Sequence, residues 1–208
     1  MTKIKMRKKR LVGNKDKVIL DLCGGTGAWS KDYREAGYDV RIITLPKGIS
    51  LTLLWDKKEQ FKYDVRLYTP PKNVYGILAA PPCTYFCRMR MCRGRPTNEQ
   101  FIKGLSVVDA CLRIIAISNP KFWALENPIG YLKIWLGEPT YKFDPYYFGD
   151  AWTKRTWLWG KFNLPKEKRV KSIRQWVNDG SNNGISRNSL TNAITPAGFA
   201  KAFFEANR

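Results

Sequence analysis

Cys83 lies in Ala80-Pro81-Pro82-Cys83-Thr84, directly after two consecutive prolines and before a polar, basic loop. A thiol placed there can serve as a nucleophile, because each proline fixes φ and lacks an N–H, which stiffens the backbone carrying the sulfur. Arg88, Arg90, Arg93 and Arg95 follow closely, and positive surroundings favour the thiolate. The other reading is the commonest fate of a free cysteine, a small buried hydrophobe. A carboxylate, Glu126, closes the apolar run Phe122-Trp123-Ala124-Leu125. Burial there raises its pKa and lets it share or give a proton, unless it only caps a helix expected over 129–136. A third candidate is Val18-Ile19-Leu20-Asp21-Leu22-Cys23-Gly24-Gly25-Thr26-Gly27, an apolar strand running into a glycine-rich turn whose backbone can lie against a ligand. It lacks the G-x-G-x-x-G spacing and the acidic residue of a dinucleotide fingerprint. A structural tight turn and a cofactor loop both stay open for it.

The composition narrows the chemistry. Histidine is absent, which removes Ser-His-Asp and Cys-His catalysis. Cys83, Cys87 and Cys92 lack the C-x-x-C pairs of ordinary zinc sites, so no metal is expected. Five cysteines with no regular framework argue for reduced thiols in a cytoplasm. The net charge of +20, from 37 basic against 17 acidic side chains, exceeds what solubility needs and points to a polyanionic partner, most simply nucleic acid. Basic residues gather in an N-terminal arm over 1–17, which either tracks phosphates or solubilises the chain, and again from Lys154 to Arg174. No signal peptide and no run of about 18 apolar residues is visible, and no obligate protein partner is evident.

These residues need a scaffold that brings strand ends together. At 208 residues the chain suits one domain, here 18–208. Strand-like stretches at 18–22, 40–44, 63–67, 75–79, 122–126 and 155–159 alternate with helical ones at 28–36, from Pro46 to about Glu59 and from Thr97 to about Ile117. In the last, Phe101, Leu105, Val108, Leu112 and Ile115 recur at helical spacing behind Thr97 as N-cap. A final helix runs through Phe204. Such alternation predicts an α/β fold, a mostly parallel twisted sheet with helices on both faces, and such sheets bind ligands at the carboxyl ends of their strands.

The glycine turn, the Pro-Pro-Cys loop and Glu126-Asn127-Pro128, in this order, resemble the motifs of the DNA cytosine C5-methyltransferases, in particular a small phage-type member. Gly25, Gly27 and Ser30 match the first motif, D-L-F-x-G-x-G-G-x-S, while Cys23 replaces its phenylalanine and Ala28 its last glycine. The cysteine motif P-P-C-T-x-F-S keeps Phe86 and has Cys87 for serine, and E-N-V differs only at Pro128. Thr153-Lys154-Arg155-Thr156-Trp157 is similar to Q-x-R-x-R with Trp157 for the second arginine, and 190–199 is similar to the motif supporting the target-recognition region.

The resemblance implies a Rossmann-like class I fold that uses S-adenosylmethionine. Asp21, Leu22, Cys23, Gly25, Thr26, Gly27, Trp29, Asp64 and Pro81 would form the cofactor site. Cys83 would add to C6 of a flipped-out cytosine in duplex DNA, Glu126 would hold a proton at N3, and Arg155 would bind the base or a phosphate. The usual ribose-binding carboxylate is missing after the second strand, where Ile42-Ile43-Thr44-Leu45-Pro46 stands. Only about 160–189 remains for target recognition, which implies short or relaxed specificity. A bacterial or phage-infected cytoplasm follows from the same resemblance.

Two rivals remain. An RNA cytosine methyltransferase resembles a two-cysteine design, with a second thiol where this chain has Glu126-Asn127. A catalytically silent nucleic-acid-binding protein on the same scaffold is motivated by the missing ribose carboxylate. Asp144-Pro145-Tyr146-Tyr147 lacks the second proline of an amino-methyltransferase motif and is read as a decoy.

Overall fold

A computed structural model describes residues 13–45, 63–88, 94–172 and 194–208. The expected helical segment from Pro46 to about Glu59, most of the N-terminal arm, and Arg90, Cys92 and Arg93 lie outside the described residues. The elements are β1 (Val18–Leu22), α1 (Lys31–Glu35), β2 (Asp39–Ile43), β3 (Val74–Ala79), α2 (Asn98–Ser118), β4 (Phe122–Pro128), α3 (Lys133–Leu136), β5 (Tyr141–Phe143), β6 (Thr156–Lys161) and α4 (Ala197–Ala206). They form one six-stranded sheet in the order β2-β1-β3-β4-β6-β5. The pairs β2–β1, β1–β3 and β3–β4 are parallel, and β6 is antiparallel to both of its neighbours. The α/β expectation with a largely parallel sheet therefore holds, with β6 running against the other described strands.

Strand alternation divides the apolar residues between two cores. Val18, Leu20 and Leu22 of β1, Ile77 and Ala79 of β3 and Leu125 of β4 pack with Phe101, Val108, Cys111 and Ile115 of α2. Ile19, Leu78, Phe122, Ala124 and Leu158 pack on the other side with Tyr33 of α1 and Phe199 and Phe203 of α4. β1 is buried along its whole length, as expected of a strand covered on both faces. The long α2 starts as its sequence predicts. The Thr97 hydroxyl accepts from the Gln100 N–H at 3.3 Å and Gln100 Oε1 accepts from the Thr97 N–H at 3.1 Å, a capping box worth about 1 kcal/mol. The helix ends on Asn119 in the left-handed region, φ 43°.

Three local expectations differ. Where a strand is expected over 63–67, residues 65–67 form a turn, because the Asp64 carboxylate accepts from the Arg66 N–H at 3.0 Å and from the Arg66 guanidinium at 2.6–3.1 Å. An aspartate that bonds its own backbone two residues on builds a turn and overrides strand propensity. The first helix begins only at Lys31, since 25–30 are consumed in turns. The helix expected over 129–136 keeps only its last four residues, because Ile129 and Tyr131 spend their N–H groups on neighbouring segments. The short edge strand β5 was not foreseen.

The described parts of the two basic stretches are tied into the body. Asn14 Nδ2 donates to the Ala36 carbonyl at 3.0 Å and the Asp39 N–H donates to Lys17 at 3.2 Å. In the segment after β6, Asn163 exchanges hydrogen bonds with Asn207, and the N–H groups of Lys168 and Val170 donate to Tyr147 and Tyr146 at 2.7 and 2.9 Å. Among the described residues no helix is long and apolar enough to cross a membrane.

Candidate active site

Three adjacent strands deliver the three sequence motifs to one edge of the sheet. Leu22 pairs with Ala79 and Ala79 with Leu125, so the glycine turn after β1, the Pro-Pro-Cys loop after β3 and Glu126 in β4 lie side by side. The Ala80 N–H continues the ladder to the Leu22 carbonyl at 2.9 Å. Asn127 crosses between two of the segments, its side-chain amide donating to the Pro81 carbonyl at 2.9 Å in a fully buried position.

The Cys83 loop is held from two sides. The N–H groups of Phe86 and Cys87 donate to the Cys83 carbonyl at 2.9 and 3.0 Å, wrapping one turn around the thiol. Phe86 is fully buried against Phe101 and Trp135, and a Cβ on Gly104 would meet its ring at 2.7 Å. On the other side the Tyr131 N–H donates to Phe86 at 2.7 Å, the Arg88 N–H to Ile129 at 3.0 Å, and Cys87 pairs with Gly130. At Gly130 a Cβ would stand 1.8 Å from the Phe86 carbonyl oxygen, so only glycine allows the segment after Glu126 to lie on the cysteine loop. Gly130→Ala is expected to lower stability by about 1–3 kcal/mol through overpacking. Urea denaturation checks this, with Gly13→Ala, where nothing lies within 4 Å, as the neutral control.

Cys83 and Glu126 are both half-buried and within electrostatic reach of each other. The Cys83 thiol is pushed well above its ordinary value, first by the hydrogen-bonded thiol of Cys87, then by burial and by the Glu126 charge, while Lys154 pulls it down. The expected thiolate preference is thereby corrected: the protonated thiol is favoured, and among the described residues the cation that faces it is Lys154. Glu126 is raised by burial, as expected, and lowered in part by Lys154.

Arg155 does not join this pair. It is exposed, its carbonyl accepts the Ile129 N–H at 3.2 Å, and its charge faces Asp144. Lys154, which the motif comparison did not single out, is among the described residues the cation whose charge acts on both Cys83 and Glu126, and nothing in the sequence alone separates it from Arg155.

The glycine turn is tightly determined. Cys23, Gly25 and Gly27 have φ of 59°, 55° and 71°, and a left-handed cysteine is uncommon enough to mark a held conformation. Cys23 turns its thiol to Cys111 of α2. A Cβ on Gly24 would stand 2.2 Å from the Asp21 carboxyl carbon. Asp21 is fully buried, accepts from the Ser30 hydroxyl at 2.5 Å through Oδ2, and has Oδ1 without a partner. Leu22 and Trp29 contribute from the core: Leu22 is 0% exposed, and Trp29, 2% exposed, packs on Phe199 and Phe203. Thr26 and Gly25 are open to solvent and Pro81 is buried. The Asp64 carboxylate, expected to meet an adenine amine, is clasped by Arg66.

Burial pushes Asp21 from 3.8 up to about 6, against the Ser30 bond and the Arg34 charge. An acid raised on folding contributes stability that is present below the unfolded value and lost as pH rises through about 6, to a total of about 3 kcal/mol. Asp21→Asn, which keeps the shape without the charge, is expected to be more stable than wild type by up to about 3 kcal/mol at pH 8 and equal to it near pH 4. Denaturation across that pH range checks this, and a difference independent of pH would refute the buried-charge account.

No family model matches the chain. It is 29% identical over 184 residues to the "Probable DNA (cytosine-5)-methyltransferase" of Frog virus 3 (isolate Goorha), covering 76% of this chain and 82% of that protein. A solved prophage protein of E. coli, assigned as a DNA modification methyltransferase, shares 15% identity at a TM-score of 0.45 over 76% of this chain. The chain spans about half of that protein, 52% of its length. By sequence, then, the chain is distantly similar to a viral protein of the DNA cytosine-5-methyltransferase family.

Proposed function

We propose that this chain is an S-adenosylmethionine-dependent DNA cytosine C5-methyltransferase. The observation that carries the reading is the convergence of Cys83 and Glu126 at one sheet edge beside the glycine turn. The residues around that turn fit a cationic amino-acid group. Asp21 Oδ1 is a buried acceptor with no partner, and nothing lies within 4 Å of where a Gly25 Cβ would point. Asp21 with the turn from Cys23 to Gly27 would hold the methionine part of S-adenosylmethionine, which supplies a methyl group on a cationic sulfur.

The protein's own groups account for the rest of the reaction. C5 of a cytosine is a poor nucleophile until C6 is attacked. Cys83 gives up its proton to solvent, its sulfur bonds to C6, and the displaced π electrons make C5 electron-rich. Glu126, whose pKa burial raises, gives a proton to N3 as negative charge develops in the ring. After C5 gains the methyl, solvent water takes the C5 proton, the electrons of that C–H bond re-form the C5–C6 double bond and expel the Cys83 thiolate, and the N3 proton returns to Glu126. A paired, stacked base cannot reach such a site, so a duplex substrate is flipped out. The net charge of +20 suits phosphate contacts. Residues 160–189, a reduced target-recognition segment in a single domain over 18–208, suit short or relaxed specificity. Arg155 and the arm over 1–17 are left for phosphates.

The test is incubation with tritiated S-adenosylmethionine and duplex DNA carrying 5-fluorocytosine, whose fluorine cannot leave as a proton. A labelled, denaturation-resistant protein–DNA adduct is expected, with the bond mapped to Cys83. DNA binding with no heat of cofactor binding and no adduct would instead establish the silent DNA-binding protein, and an adduct on RNA alone the RNA enzyme.

A further inference from the structure

Strand register places Lys154, and not the motif-matched Arg155, beside the reacting pair. In the β4–β6 ladder Glu126 lies opposite Leu158 and Pro128 opposite Thr156. The Ile129 N–H to Arg155 bond carries the same register two residues further, which sets Lys154 across from Gly130. Directly opposed residues in an antiparallel pair share a face, so Lys154 follows Leu158 and Glu126 while Arg155 follows Trp157 and Trp159. On its other side Gly130 pairs with Cys87. Cys87, Gly130 and Lys154 thus form a row across three adjacent backbones, and the residue between the thiols and the ammonium has no side chain. A lysine stem of four carbons crosses that gap.

The backbone of Lys154 is fixed from the far side. The Asp144 carboxylate, just past the edge strand β5, lies within electrostatic reach of the Lys154 backbone N–H and of Arg155, and its Oδ1 is buried without a partner. The Thr156 hydroxyl holds the Lys154 carbonyl at 2.8 Å. The Asp144-Pro145-Tyr146-Tyr147 turn therefore faces the segment that enters β6 with its carboxylate.

We propose that Lys154 is the electrostatic partner of both reacting groups, stabilising the Cys83 thiolate and the Glu126 carboxylate, and that Asp144 is the residue that positions it. Among the described residues, the charged and titratable groups facing Cys83 are Cys87 from its own turn, Glu126 from β4 and Lys154 from the segment before β6. Of these Lys154 alone favours the thiolate, so it opposes the burial that keeps the nucleophile protonated. This rests on the reading of Cys83 as the nucleophile in the proposed reaction.

The test is the pH dependence of Cys83 alkylation by iodoacetamide, resolved from Cys87 by fragment mass spectrometry on the full chain. Lys154→Gln is expected to move the Cys83 inflection up by about one pH unit, Lys154→Arg to restore it, and Arg155→Gln to leave it in place. Asp144→Ala moves it in the same direction as Lys154→Gln by a smaller amount. An inflection unchanged in Lys154→Gln, or moved by Arg155→Gln instead, overturns the role of Lys154, and one unchanged in folded Asp144→Ala overturns the positioning. Alkylation needs neither cofactor nor DNA. Loss of the fluorocytosine adduct with the Lys154 dependence intact would therefore count against the methyltransferase reading and leave this one standing.

Discussion

Cys83→Ala is expected to transfer methyl groups to DNA at least about 10⁴-fold more slowly than wild type, a loss on the scale seen when a covalent nucleophile is removed. That factor corresponds to about 5.5 kcal/mol of barrier, far more than any loss of packing at a half-buried thiol explains. The loop should survive, because its geometry rests on the Cys83 carbonyl, which accepts the Phe86 and Cys87 N–H groups, and on Phe86 buried against α2. DNA affinity should therefore stay within about threefold, a change of under 1 kcal/mol. Cys87→Ala separates the two thiols of the turn. The Cys87 thiol is the largest influence raising Cys83, so its removal should move the alkaline dependence of the rate to lower pH and leave the maximal rate within an order of magnitude. Initial rates with tritiated cofactor across pH check both. A Cys83→Ala protein retaining more than about one per cent of wild-type activity would mean that carbon methylation here does not run through this sulfur.

Most of the scaffold was legible because local chemistry and tertiary packing agree. Val18–Leu22 reads as a strand buried on both sides and is one. Thr97 with Gln100 three residues on announces α2, and the capping box forms. Cys83 and Glu126 were readable because both sit where apolar strands end, and neighbouring parallel strands end together. What escaped depends on register or on side chains that bond their own backbone. Tyr63-Asp64-Val65 has strand composition, yet the Asp64–Arg66 bonds turn the chain at 65–67. The thiol partner of Cys23, Cys111, lies 88 positions away on a helix, a contact that no local pattern announces. Lys154 and Arg155 are neighbours with opposite faces, and only the pairing of β6 with β4 decides which one meets Glu126. Nothing local to Thr153-Lys154-Arg155 carries that information. Gly130 likewise looks like a loop glycine until the Phe86 carbonyl is placed against it.

Glu126→Gln is expected to slow methyl transfer by about 10²–10³-fold, the range of a lost general acid, with the cofactor and DNA affinities little changed. Glutamine keeps the size and the hydrogen-bonding reach of the side chain but has no proton to give to N3. The pH dependence distinguishes this from damage to packing. Burial raises the Glu126 pKa in the free protein, so a wild-type reaction that needs the acid form loses rate as pH rises through that raised value. Glu126→Gln should lack this limb, leaving a profile that rises with pH as Cys83 ionises. Stability runs in the matching direction. A carboxyl raised on folding contributes stability below its unfolded pKa that is lost as pH rises through the folded one, so the glutamine variant should gain on wild type in alkaline solution and match it in acid. If Glu126→Gln retained the falling limb of wild type, the proton would come from another group. If its rate fell together with its stability at every pH, Glu126 would be a structural carboxylate of β4.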